Sequence, residues 1–417
     1  MTDCSVYASV IDVTSAHGLP NTADAVVVGG GTIGAWTAWF LRRSGLRTVV
    51  LLEAGRLGQG ASSRAAGMVR AQGGTETAVR LGMFSRDFYR DQQDLLGIDS
   101  GFVAPGYSMP CFTPGAVGEA HARIAMQRAL GLDVRWVEPD EVDAMNPVMA
   151  PGQTLGASYA PGDGYIDPPG NVLAYTVALF TAGVHVAEQT AFTGLELNGD
   201  RVAAVSTTAG SIATDRVVLT GGPTLAAVGR AAGVRIPVGG VRHQVVATGP
   251  HPQLATENLP MVFDVMSGIY WRPSGDGGVL WGMSNPEEAP GEADEFDWAY
   301  YERMRQRVAK LLPVTSGLGV RRAWAATIDF TPDHLPILGP AVTGDGPLGG
   351  TTIAAAGGHG MMWGPGVARA AADLALGQAT DVVDVTDLGL DRFDAQGRSR
   401  LSADPIALPF PATLSEG

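Results

Sequence analysis

The segment that most constrains this chain begins with an apolar run, Ala25–Val28, which leads straight into Gly29, Gly30, Gly31, Thr32, Ile33 and Gly34. A stretch of helical composition runs on from Ala35 to Arg43 and is closed by Gly45. Glycine makes up 57 of 417 residues, so a GxGxxG spacing is expected about once by chance here and context has to decide its meaning. A second such spacing, from Gly344 to Gly349, runs into the strand-like Thr351, Thr352, Ile353 and Ala354 and reads as a turn. At the first spacing a buried strand, a tight turn and a helix N-terminus coincide. There the backbone can approach a pyrophosphate, whose charge is met by free N–H groups and the positive end of the helix dipole. The next apolar run, 48–52, ends in Glu53, at the spacing where a carboxylate accepts both hydroxyls of an adenosine ribose and repels a 2'-phosphate.

The chain exceeds what one core holds, which predicts two domains. Its 45% hydrophobic and 17% charged content is that of an ordinary globular protein. A net charge of -14 with a single lysine, Lys310, argues against nucleic-acid or anionic-membrane partners. There is no basic segment followed by an apolar one at the start, and no run of 18 apolar residues, so neither a signal peptide nor a membrane span is expected and a cytoplasmic location is. The two cysteines, Cys4 and Cys111, and seven scattered histidines lack metal-ligand spacing. No metal is expected, and redox chemistry would need an organic cofactor.

The residues beyond Glu53 separate flavin from nicotinamide. After Glu53 and Ala54 comes a run of small residues with hydroxyls and one arginine: Gly60, Ser62, Ser63, Arg64, Ala66, Gly67 and Met68. Further blocks are 163–168; 184–194, which reads as a strand around Ala191; 217–222 with Gly221; the tryptophan-to-TPDxxPIxG stretch 324–339; and the glycine turn holding Gly358, His359, Gly360, Met361 and Met362. On these residues the chain resembles the FAD-dependent glycine oxidase, sarcosine oxidase and D-amino acid oxidase superfamily from about residue 22 to 395, and glycine oxidase most in type. The resemblance implies an α/β fold, α+β overall: a Rossmann-like FAD-binding domain from 22–105, 161–235 and 325–395, interleaved with a β-sheet-rich substrate domain from 106–160 and 236–324. Residues 1–20 and 402–417 read as tails, and 286–292 as an acidic surface loop.

The same resemblance implies oxidation of a C–N bond in a small amine or amino acid, with O2 as the acceptor. Such chemistry rests on holding the substrate carbon against the flavin, and an amino acid also wants an arginine fork for its carboxylate. Arg70, Arg242 and Arg272 are the candidates; Arg70 matches a carboxylate-binding arginine of sarcosine oxidases. Tyr270 matches a substrate-pocket tyrosine of glycine oxidase, His243 faces the ring or supports the sheet, and His359 lies beside the flavin. Departures matter as well. Glycine oxidase's substrate arginine is replaced by Ile328, and a basic residue after the glycine turn by Met361 and Met362, which predicts an N-substituted glycine, such as an N-carboxymethyl amino acid, over glycine. Arg64, Ala323 and Ala325 stand where relatives attach flavin through histidine or cysteine, so noncovalent FAD is expected. Leu280 falls where sarcosine oxidases have a lysine near oxygen, leaving oxidase and dehydrogenase open. Sarcosine, dimethylglycine or D-amino acid oxidation, flavin hydroxylation, and a flavin-holding subunit without turnover are the alternatives; the oligomeric state stays unassigned.

Overall fold

The computed structural model describes residues 18–255 and 259–408. Cys4 and, of the two expected tails, residues 1–17 and 409–417 lie outside the described residues.

The apolar runs build two large sheets. The first has the strand order Ile337–Gly339, Thr351–Ala355, Val217–Leu219, Ala25–Val28, Val49–Leu52, His185–Ala187. All neighbours are parallel except Ile337–Gly339, and Val27 lies in register with both Val218 and Leu51. Ala25–Val28 and Val49–Leu52 are buried throughout, which is why they read as unbroken apolar runs rather than alternating ones. Helices Thr32–Arg43, Pro168–Ala182 and Gly364–Ala375 cover one face through Trp36, Tyr175 and Val367. The other face carries an antiparallel sheet of Phe192–Asn198, Arg201–Thr207 and Gly210–Ala213 together with helix Leu225–Ala231, packed through Val205, Ile212 and Leu225. This is the Rossmann-like α/β arrangement that the resemblance implies, with a three-stranded sheet and one short helix on the second face.

The second sheet is mixed, ordered Val320–Phe330, Gly239–Thr248, Gly278–Ser284, Ile269–Ser274, Met261–Asp264, Tyr107–Pro110, Ala157–Ala160, Arg135–Val137. Helix Trp298–Leu311 backs it, setting Tyr301, Met304 and Val308 against Trp271 and Trp281. Strand Val320–Phe330 pairs with Gly239–Thr248 from end to end, so the expected boundary between 324 and 325 falls inside one continuous strand. No helix among the described residues is long and apolar enough to cross a membrane.

Two expectations need correction. The block 184–194 is not one strand: His185–Ala187 ends in a turn at Gln189, whose φ is 52°, and Phe192–Asn198 starts a different sheet. Residues 402–408 are not a tail. Ile406 is fully buried and Asp404 nearly so, because Ile406 packs into an apolar cluster of the mixed sheet with Tyr107, Phe263 and Tyr270, and Leu408 packs against Val241 and Phe330 of the same sheet. The second glycine spacing does form a hairpin, between Val342–Thr343 and Gly346–Pro347.

Candidate cofactor and substrate site

At the first turn the glycines are required by space. Gly34 seats the helix on the strand so closely that an added Cβ would lie 1.9 Å from the Gly29 carbonyl oxygen, and one on Gly29, whose φ is +102°, would lie 2.7 Å from Thr220 Oγ1. Thr32 N–H donates to Ser62 Oγ at 2.9 Å, tying the helix start to the small-residue run. Glu53 closes the turn from the next strand: Oε2 accepts the Gly30 N–H and Oε1 the Gly55 N–H, each at 2.7 Å. A carboxylate is thereby fixed at the strand end beside a glycine cradle open to a ligand, so these residues fit the adenosine and pyrophosphate of FAD.

From this cradle one cavity of about 880 Å³ runs on to the mixed sheet. Every candidate from the sequence lines it except Ser63, Arg242 and Arg272. Arg272 is spent elsewhere: its Nε donates to the Ala66 carbonyl at 2.7 Å, its Nη1 to the Pro273 carbonyl at 3.0 Å, and its guanidinium stacks 4.4 Å from the Tyr165 ring. It ties the cofactor segment to the mixed sheet and, unlike Arg70, does not line the cavity. Arg242 also turns away, pairing with Glu288 at 2.5 Å. Ala191 lines the cavity, but its N–H and carbonyl are both engaged with Thr208, at 3.0 Å each.

Arg70 is the arginine that remains. It is buried, its Nη1 donates to the Gln72 carbonyl at 2.5 Å and its Nη2 to the Ile406 carbonyl at 3.1 Å, and it lies 5.3 Å over the Phe263 ring. None of the ion pairs among the described residues includes it, although the buried Asp163 feels its charge, so a buried cation without a direct acid partner lines the cavity. Nearby, Tyr270 Oη sits 2.5 Å from His243 Nε2 with the rings stacked at 5.6 Å, and His243 Nδ1 is 3.2 Å from Ser284 Oγ. Burial pushes His243 down to about 4 and Tyr270 well above its ordinary range, so both are neutral near pH 7. His359 stacks on Trp363; burial, and Arg70 beside it, hold its pKa well below the ordinary value, so it is neutral near pH 7 too.

Several lining residues were not singled out by sequence. Asp329 is buried, its Oδ2 has no partner, and burial raises its pKa. It stands within the TPD block, but nothing in its spacing marks it as facing a cavity. Glu292 and Asp294 close one side, where Asp294 meets Arg64 at 2.8 Å; the acidic loop is largely exposed, with Glu288 turned in to meet Arg242. Phe263, Tyr107 and Leu408 complete the apolar wall with Ile328, Met361 and Met362. Leu280 is buried among Met68, Tyr107 and Tyr270.

Residues 24–374 match the model of the DAO family, described as FAD dependent oxidoreductase. The chain is 30% identical over 348 residues to mitochondrial sarcosine dehydrogenase of Mus musculus, an alignment covering 80% of this chain but 38% of that protein, so it spans well under half of that relative's length. It is 30% identical over 326 residues to glycine oxidase of Geobacillus kaustophilus, covering 76% of this chain and 84% of the relative. The solved structure of glycine oxidase from Geobacillus kaustophilus matches with a TM-score of 0.78 at 26% identity, over 90% of this chain and 100% of that one. L-proline dehydrogenase from P. horikoshii matches with a TM-score of 0.84, also at 26% identity, over 92% and 100%. With its glycine cradle, its Glu53 and its match from 24 to 374, the chain belongs to the DAO family of FAD-dependent oxidoreductases.

Proposed function

We propose that this protein oxidises the C–N bond of a glycine-type amine, most specifically an N-substituted glycine such as an N-carboxymethyl amino acid, using noncovalently bound FAD. The observation that carries this reading is the continuity of one cavity from the Gly29 to Gly34 cradle to the cluster of Arg70, Tyr270 and His243. The parallel sheet and its helices serve the cofactor, and the mixed sheet serves the substrate. FAD supplies the two-electron acceptor for the C–N bond.

On this reading Arg70 receives the substrate carboxylate, because a buried guanidinium without an acid partner gains most from a charged ligand. Tyr270 donates its O–H to His243 Nε2, His243 donates Nδ1–H to Ser284 Oγ, and the Tyr270 oxygen is left to accept the substrate N–H. With a pKa near 4, His243 cannot store the amine's proton at neutral pH, so this pair orients the nitrogen rather than titrating it. Ile328, Met361 and Met362 surround the N-substituent with apolar surface and exclude water. The substrate loses two electrons and two hydrogens to give an imine, and water then yields glyoxylate and the free amine. With O2 as acceptor the product is hydrogen peroxide; the name of the mouse relative and the buried Leu280 favour a dehydrogenase as the second reading.

The test is a substrate comparison on the FAD-loaded protein. N-alkyl glycines and N-carboxymethyl amino acids are expected to turn over faster than glycine, with peroxide formed in proportion. Fast glycine turnover with none of the N-substituted compounds would overturn the substrate assignment, and product without peroxide would select the dehydrogenase.

A further inference from the structure

The segment after Ser399 brings Leu408 into the wall of the cavity. Ser399 Oγ donates to Asp333 Oδ2 at 2.6 Å and Asp404 N–H to the Asp333 carbonyl at 3.2 Å, while Asp333 is itself locked by the fully buried Arg392 at 2.7 Å. Asp404 Oδ1 then accepts the Ile406 N–H at 3.0 Å, folding the chain back so that the Ile406 side chain enters the cluster of Met68, Tyr107, Phe263 and Tyr270. Gly74 leaves room for this path: a Cβ there would lie 2.0 Å from Asp404 Oδ1. Two consequences reach the cavity. The Ile406 carbonyl takes the Arg70 Nη2–H at 3.1 Å, and Leu408 lines the cavity while packing on Val241, Ile328 and Phe330.

We propose that Asp404 to Leu408 form a substrate-selecting strap, in which the Ile406 carbonyl orients the Arg70 guanidinium and the Leu408 side chain sets the size of N-substituent the cavity accepts. The carboxylate half of this proposal rests on the reading above that Arg70 receives the substrate. Arg70 has two carbonyl partners on one edge, from Gln72 and Ile406, so its remaining N–H groups are aimed by them. Asp404 is a positioning residue acting through Ile406. Leu408 acts directly, since its side chain fills space that a ligand would share with Ile328.

The experiment uses the full-length FAD-loaded protein with Leu408→Ala, Leu408→Trp, Asp404→Ala and Asp404→Asn. Limiting rates of anaerobic flavin reduction and substrate dissociation constants are measured for N-methyl-, N-propyl- and N-benzylglycine. Leu408→Ala is expected to shift preference toward N-benzylglycine about tenfold or more, and Leu408→Trp toward N-methylglycine by a similar factor. Asp404→Ala is expected to weaken binding of all three with the limiting rate little changed, and Asp404→Asn, which keeps an acceptor for the Ile406 N–H, to restore it. A second arm needs no turnover: acetate and phenylacetate are titrated against the flavin absorbance, and Leu408→Ala should favour phenylacetate. Selectivity ratios within twofold of the parent in both Leu408 variants would overturn the strap. If no amine reduces the flavin while the acetate and phenylacetate ratios shift as stated, the proposed reaction fails and the strap stands.

Discussion

The phenolic oxygen of Tyr270 lies 2.5 Å from Nε2 of His243, and both residues line the cavity that begins at the glycine cradle. Replacing Tyr270 with phenylalanine keeps the ring stack but removes the oxygen that would hold the substrate nitrogen. The limiting rate of flavin reduction should fall about 10- to 100-fold, in line with removal of one well-placed hydrogen-bonding group. Stopped-flow reduction under saturating substrate checks this, and an unchanged limiting rate would remove Tyr270 from the mechanism.

His243 also predicts a pH dependence of stability. Its ordinary value is 6.5 and burial lowers it to about 4 in the folded chain, so between these values the unfolded chain binds more protons. The stability it contributes is therefore fully present above about pH 6.5 and is lost as pH falls toward 4. Melting temperatures across that range should fall less steeply for His243→Gln than for the parent.

Glu53 accepts two backbone N–H bonds as a carboxylate, from Gly30 and Gly55. Glu53→Gln can keep one acceptor but loses the charge and the symmetry of that arrangement. FAD should bind about tenfold or more weakly, given ~1.5–3 kcal/mol for a hydrogen bond to a charged group. Fluorescence of FAD released on dilution measures it; equal retention would move the ribose contact elsewhere.

Asp329 makes the opposite kind of prediction. Its Oδ2 has no partner, and burial raises its pKa against the backbone N–H groups of Ala356, Gly357 and Gly358 that favour the charged form, so the net cost of that charge is relieved by protonation. Asp329→Asn should raise the melting temperature near pH 7 by about 2–4 °C. That advantage should vanish as pH falls toward the ordinary 3.8, because the raised folded value means relative stability is gained below it. A lower melting temperature for the variant at pH 7 would show that the carboxylate is compensated.

Each feature was legible in the sequence to the extent that it is local. The Gly29 to Gly34 turn, its flanking strand and helix, and Glu53 have spacings set by one strand, one turn and one helix. Ala25–Val28 and Val49–Leu52 were legible because burial on both faces leaves only apolar residues. The long-range pairings were not. Arg70 and Arg272 look alike in sequence, and each donates to two backbone carbonyls; only the folded chain places Arg70 on the cavity wall and Arg272 off it. The sparse, proline-bearing stretch 402–408 has the composition of a tail, yet the buried Asp333 and Arg392 pair gives it an anchor that no local pattern reveals. Asp329 was equally hidden, since a strand residue's facing depends on a partner strand some ninety positions away, at Gly240.

If the assignment of the cavity is right, a glycine-type amine reduces the flavin held in it. Anaerobic titration of the FAD-loaded protein with an N-alkyl glycine, followed by flavin absorbance and by glyoxylate released, measures this without any intervening step. Complete bleaching is expected, with one glyoxylate formed per flavin reduced. Flavin that stays oxidised with every N-substituted glycine, sarcosine and glycine, yet is bleached by dithionite, would refute the assignment.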